Sequence, residues 1–123
     1  MDICSPVDCL EEVLNDIPDL AFAYNFDGCY LYANKAGAQF LGFEPNDLIG
    51  RHWKELDLSP EIMEHIVSRV QEVFQTGKTL CFTLNGLPRY GSRVWDISLT
   101  PLRCTRDDIV CVLSIAHDIT KYV

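Results

Sequence analysis

Residues 20–34 read LAFAYNFDGCYLYAN, two short runs of aromatic and small apolar residues on either side of Asp27-Gly28. Asp-Gly tolerates the positive φ of tight hairpin turns, so the stretch reads as a β-hairpin. The last third of the chain has the same two-residue period. Residues 78–86 (KTLCFTLNG), 92–102 (SRVWDISLTPL) and 108–119 (DIVCVLSIAHDI) are β-rich runs separated by the turn material PRYG and CTRDD. Between the two strand blocks the apolar period becomes helical. Asn34 is placed to cap a short helix whose Ala36, Phe40 and Leu41 end at Gly42, and residues 45–50 (PNDLIG) give one further turn. Ser59-Pro60 opens the longest helix, with Ile62, Ile66, Val70, Val73 and Phe74 as its buried stripe until Gly77. Glu61, Glu64, Arg69 and Gln71 fall on its solvated side. Upstream, Ser5-Pro6 and Asp8 begin a helix over residues 6–15 with Val7, Leu10, Val13 and Leu14 along one stripe. Helix, two strands, several helices and three strands make an α+β fold with one sheet.

The 123 residues, 48% of them hydrophobic, build one core and leave little room for a second domain. Ten Lys plus Arg against eighteen Asp plus Glu give a net charge of −8, the wrong sign for gripping nucleic acid or an anionic membrane. No apolar run approaches the roughly 20 residues of a spanning helix, and the opening MDICSPVDCLEE lacks a secretory pattern. A cytoplasmic protein without nucleic-acid or membrane contact is expected. Six cysteines at 4, 9, 29, 81, 104 and 111 form no CxxC pair and no Cys/His cluster, which points to free thiols and no metal site. Phosphate loops, nucleophile elbows and zinc-hydrolase helices are missing, and His52, His65 and His117 fall in three different elements. The expectation is a protein without catalysis of its own.

This element order, with residues 17–43 (IPDLAFAYNFDGCYLYANKAGAQFLGF), NDLIGRHW, VFQTGKT, YGSRVWDISLTPL and AHDIT in sequence, resembles the PAS domain, a sensory module of signalling proteins. The resemblance runs from about Leu10 to Thr120. It implies a five-stranded antiparallel sheet in the order 2-1-5-4-3, helices on one face with a small pocket beneath them, and the N-terminal helix on or near the other face. It also implies signal perception and relay to an output domain, such as that of a sensor histidine kinase or a cyclic-dinucleotide enzyme. On this pattern residues 1–16 are an amphipathic cap for dimerisation, 17–120 the sensor domain, and 121–123 the start of a connector to an output domain not included here.

Strict alternation divides SRVWDISLT into a Trp95, Ile97, Leu99 row and a Val94, Asp96, Ser98, Thr100 row, and taken alone it sends the first row to the core. Resemblance to flavin-binding PAS domains implies the reverse, because the position matching Asp96 faces the ligand there. The resemblance decides the expected orientation. It puts Phe82, Leu84, Asp96, Ser98, Ser114 and Ala116 on the helix side, and Trp95, Ile97, Leu99, Leu113 and Ile115 outside. So apolar an outer face needs a cover. Leu10, Val13 and Leu14 would supply it against Trp95, Ile97 and Ile115, within one chain or across a homodimer.

The candidate ligand-binding residues are Tyr24, Phe74, Phe82, Asp96, Ser98 and Ser114. Asp96 reads either as a pocket acceptor or as a solvated carboxylate, and the aromatic side chains either as ligand walls or as ordinary core. The cofactor is left open between none, haem and flavin. His65 is the candidate haem ligand, although the matching family position falls on Ile66. Residues 54–63 (KELDLSPEIM) exclude the light-sensing flavin subclass, which needs a reactive cysteine there. By the same resemblance Asp118 is the junction aspartate, tied to a basic or backbone group at the sheet's end, while Asn34 is structural. A ligand-free module acting only in dimerisation and relay, or a haem- or flavin-based redox or gas sensor, are the alternatives to a small-molecule sensor.

Overall fold

The hairpin at Asp27-Gly28 joins β1 (Leu20–Tyr24) to β2 (Tyr30–Ala33) in a computed structural model that describes residues 13–85, 93–104 and 108–122. Its turn is closed by Asn25, whose Oδ1 accepts from the amides of Asp27 and Cys29. Gly28 has φ +96°, and a Cβ there would come within 2.9 Å of the Trp53 ring, so both backbone and packing require glycine. Asn34 caps α1 (Lys35–Leu41), which stops at Gly42, and α2 (Pro45–Leu48) follows. A 3-10 turn, Trp53–Leu56, then leads to the 17-residue α3 (Pro60–Thr76). His52 opens that turn with a reciprocal cap, accepting from Lys54 N while Glu55 accepts from His52 N, and its Nε2 lies 2.7 Å from the Asp27 carbonyl. His52 thereby pins the hairpin to the helical layer.

β3 (Leu80–Asn85), β4 (Val94–Arg103) and β5 (Ile109–Asp118) complete an antiparallel sheet in the order β2-β1-β5-β4-β3. The central strand is therefore the last in sequence. The two blocks on either side of it become one sheet only when β5 pairs with β1 on one edge and β4 on the other.

Asn34 is completely buried and its amide is fully used. Oδ1 accepts from Gly37 N at 2.8 Å and Ala21 N at 3.1 Å, while Nδ2 donates to the carbonyls of Leu14 and Asp19, each at 2.9 Å. One side chain thus joins the chain before β1, β1 itself and the start of α1.

Apolar side chains gather on both faces of the sheet. Between sheet and helices lie Leu20, Phe22, Tyr24, Tyr30, Trp95, Ile97, Leu99, Val112 and Ala116, packed against Met63, Ile66, Val67, Val70 and Val73 of α3. Met63 and Val67 join the expected stripe, whereas Ile62 and Phe74 are only partly buried at its margins. On the opposite face Leu14, Ala21, Ala23, Tyr32 and Cys111 form a smaller cluster with Ile17, Leu102, Leu113 and Ile115 around it.

The expected assignment of β4 is overturned. Trp95, Ile97 and Leu99 face the helices, while Asp96 is exposed and Ser98 lies beside it on the outer face. Register dictates this, because Leu84, Phe82 and Leu80 pair with Trp95, Ile97 and Leu99, and directly paired residues share a face. Turning Asp96 inward would flip the whole strand, burying a carboxylate and moving three large apolar side chains out of the core. The outer-face contact expected of Trp95 and Ile97 with the N-terminal stripe therefore falls away. Leu14 is buried against the outer cluster and Val13 is 64% exposed. Leu10 and Val7 lie outside the described residues, as does most of the helix expected over 6–15.

Candidate ligand cavity and strand-end junction

The inner faces of β1, β4 and β5 form the floor of a cavity whose roof is α1, the residues before α3, and the first turns of α3. It measures about 80 Å³. Clefts that accommodate drug-sized ligands run to roughly 300–1,000 Å³, so this one suits a compact molecule and is far too small for a flavin or a porphyrin as it stands.

Aromatic rings shape one end. Tyr24 and Tyr30 lie 4.9 Å apart between centroids, Phe22 meets Tyr30 edge-on at 5.5 Å, and Phe40 meets Trp95 edge-on at 5.1 Å. Burial, reinforced by the charge and hydrogen bond of Tyr30, pushes the Tyr24 phenol well above its ordinary range, so it stays protonated. Tyr30 donates its hydroxyl hydrogen to Met63 Sδ at 3.8 Å. Among the described residues no Asp, Glu, Lys, Arg or His side chain lines the cavity.

Two serines line it from opposite layers. Ser114 is on β5 and 4% exposed; Ser59 stands at the N-cap of α3 and is 8% exposed. The Ser59 hydroxyl does not cap the helix, and neither hydroxyl has a hydrogen-bond partner among the described residues.

Of the candidate ligand-binding residues, the structure thus brings Tyr24 and Ser114 together and leaves four elsewhere. Asp96 and Ser98 are on the outer face. Phe74 packs edge-on against Phe26 at 5.7 Å, and Phe82 sits at the sheet's margin under the Arg69 guanidinium, 4.7 Å away. His65 does not face the cavity either. It is exposed, it accepts from Arg69 Nε at 3.1 Å, and it meets the Phe82 ring edge-on. Ile66, one residue or about 100° further round α3, is the side chain that lines the cavity. The described residues do not fit haem, since no imidazole or thiolate among them reaches the space, nor flavin, since no Asn or Gln amide among them lines it. Among the described residues no three His, Cys, Asp or Glu side chains gather as a metal site. The four described cysteines are free thiols, and burial raises the Cys111 thiol to about 11, which leaves it inert.

Ser59, Trp95 and Ile97 are among the lining residues that sequence reasoning missed. Plain alternation along β4 carried the signal for the two on the strand. Ser59-Pro60 was legible as a helix start, but nothing in the letters turned its hydroxyl away from the helix.

The same floor leads to a polar junction. Ala116 lines the cavity, and two residues later, on the same face of β5, Asp118 accepts from Arg93 and from both the amide and hydroxyl of Thr120. Thr120 Oγ1 in turn accepts from Val94 N at 2.9 Å, and Ile119 N donates to Val94 O at 2.9 Å. The Thr120 bonds, and then Arg93, lower the Asp118 carboxyl to about 2. Asp118, expected to be tied to a basic or a backbone group, bonds to the Arg93 guanidinium and to the Thr120 amide. On the other face His117 Nδ1 lies 2.7 Å from Asp19 Oδ1, joining the end of β5 to the approach to β1.

The chain matches the model of the PAS fold over residues 14–122. No curated protein sequence matches it. Among solved structures it is similar to the PAS domain of BvgS from Bordetella pertussis, with TM-score 0.79 and 13% identity over 91% of this chain and 85% of that one. VqmA from Vibrio cholerae gives TM-score 0.75 and 19% identity over 92% of this chain but only 52% of that one. The PAS domain of the histidine kinase ThkA gives TM-score 0.65 and 22% identity over 81% and 99%.

Proposed function

The chain belongs to the PAS fold family, and from that premise we propose that it is a sensor and relay domain that binds a small molecule between sheet and helices. The observation that carries the proposal is the continuity of β5, which floors the cavity at Ser114 and Ala116 and two residues later enters the Asp118 junction. A ligand pressing on the central strand would act on the segment through which the chain leaves the sheet. The histidine kinase ThkA and the VqmA–DPO complex, both built on this fold, support a signalling role with a small-molecule input. The domain would do no chemistry itself and would act on an output domain, in the cytoplasm, as a homodimer paired through the apolar outer face. The charge of −8 argues against nucleic-acid contact by this domain.

A second reading follows from the small cavity: a ligand-free module whose own side chains fill the space and which serves only pairing and relay. Native mass spectrometry with an absorption spectrum, on protein purified without added cofactor, separates the two. A small bound mass that disappears in Ala116→Phe supports the ligand sensor. A clean apo mass supports the ligand-free module, and haem or flavin bands contradict the cavity assignment.

A further inference from the structure

Ser59 and Ser114 line one cavity, one from the helical layer and one from the central strand, and neither hydroxyl has a partner among the described residues. No buried side-chain oxygen or nitrogen lacks a partner among the described residues, so the two hydroxyls are open to the cavity space, where water or a ligand bonds them. We infer that the cavity selects small, uncharged, largely apolar molecules carrying one hydrogen-bonding oxygen or nitrogen, which the Ser59 and Ser114 hydroxyls engage. This inference rests on the ligand-sensor reading and specifies the chemistry of that site.

Three observations narrow the class. Size excludes the large planar cofactors. Charge is disfavoured because, among the described residues, no ionisable side chain of either sign lines the cavity except the two tyrosines, and Tyr24 stays a neutral phenol. An ion there would be desolvated with no counter-ion, at a cost no hydroxyl repays. A hydrocarbon would fit the Leu20, Ile66 and Ile97 walls but would strip water from both serines and return nothing. What remains is a short aliphatic or small ring skeleton with a hydroxyl, carbonyl or ring nitrogen. The serine hydroxyl both donates and accepts, so it serves any of these groups. A molecule held at Ser59 and Ser114 together would tie the start of α3 to β5, the strand that leads to Asp118.

The test uses three probes of one shape: 2-butanol, 2-methylbutane and sec-butylammonium, which place a hydroxyl, a methyl or an ammonium on the same carbon. Each is titrated into the protein and followed by backbone amide and methyl chemical shifts. The expected result is that 2-butanol moves the resonances of Ser59, Ser114, Ile66 and Ile97, while sec-butylammonium binds at least tenfold more weakly. In the Ser59→Ala/Ser114→Ala double variant the ratio of 2-butanol to 2-methylbutane affinity should fall about fivefold, the worth of one ordinary hydrogen bond. The ligand class is overturned if the ammonium binds as well as the alcohol, or if the ratio is unchanged in a folded double variant. The probe comparison on the unaltered protein stands even if that variant fails to fold. If none of the three probes perturbs the cavity residues, the ligand-sensor reading falls with it; if 2-methylbutane binds and the serines prove indifferent, the cavity survives and only the chemistry assigned to it is wrong.

Discussion

Replacing Asn34 by alanine removes four hydrogen bonds at one buried point. Two backbone amides, Gly37 N and Ala21 N, lose their acceptor, and the carbonyls of Leu14 and Asp19 lose their donor. The N-cap alone is worth about 1 kcal/mol. Ala21 is fully buried, so its amide finds no water in exchange and adds about 1–3 kcal/mol. The two carbonyls contribute about 0.5–1 kcal/mol each, because the segment carrying them is partly exposed and relaxes toward solvent. The sum, about 3–6 kcal/mol, is a large share of the 5–15 kcal/mol that holds a typical domain folded. Urea denaturation followed by tryptophan fluorescence measures it as a lower midpoint at unchanged slope. Asn34→Asp is a sharper control. It keeps both accepted bonds but sets an oxygen against two carbonyl oxygens, so it should be no better than alanine. A cost below about 1 kcal/mol for Asn34→Ala, or full rescue by aspartate, would refute the assignment of this side chain as the four-way link.

Trp95→Ala should cost about 3–5 kcal/mol by opening the core, whereas Asp96→Asn should stay within about 0.5 kcal/mol; chemical denaturation that reversed the two would restore the opposite face assignment. The hydrogen bond to Asp19, and then its charge, raises the His117 imidazole above its ordinary value, so an NMR titration of the ring should show a high midpoint that Asp19→Asn lowers. A raised folded value means that the stability from this exposed pair is fully present below the unfolded pKa and is lost as pH rises through the folded one. Asp118 has the opposite sign: its carboxyl is held at about 2, so its contribution is present above the ordinary carboxylate range and is lost as pH falls toward 2. Asp118→Asn should speed amide exchange at Val94 and Thr120 several-fold while leaving β1 and β2 unchanged, and equal rates would remove the junction role.

Elements set by local chemistry were legible in the letters. Asp27-Gly28 turns the hairpin, Asn34 and Gly42 bound α1, and Ser59-Pro60 and Gly77 bound α3. The strand order came from resemblance rather than from pattern. The face of β4 shows the risk of that route. Alternation alone sends Trp95, Ile97 and Leu99 inward, and the position borrowed from flavin-binding relatives sent them out; because strand faces alternate, one misplaced residue inverts every other residue on the strand. What stayed illegible depends on long-range placement. Asp19 and His117 are 98 residues apart in sequence and form a pair only because β1 and β5 are neighbours. The cavity draws on residues from Leu20 to Ala116, each of which alone reads as core or cap.

The central claim is an apolar cavity between the inner face of β4–β5 and α3, and methyl spectra recorded under xenon pressure test it most directly. Xenon enters apolar cavities and shifts the methyl groups lining them. The expected result is shifts at Ile66, Ile97 and Ala116, silence at Leu113 and Ile115 on the outer face, and loss of the response in Ala116→Phe. Shifts confined to Leu113 and Ile115, or none at all, would contradict it.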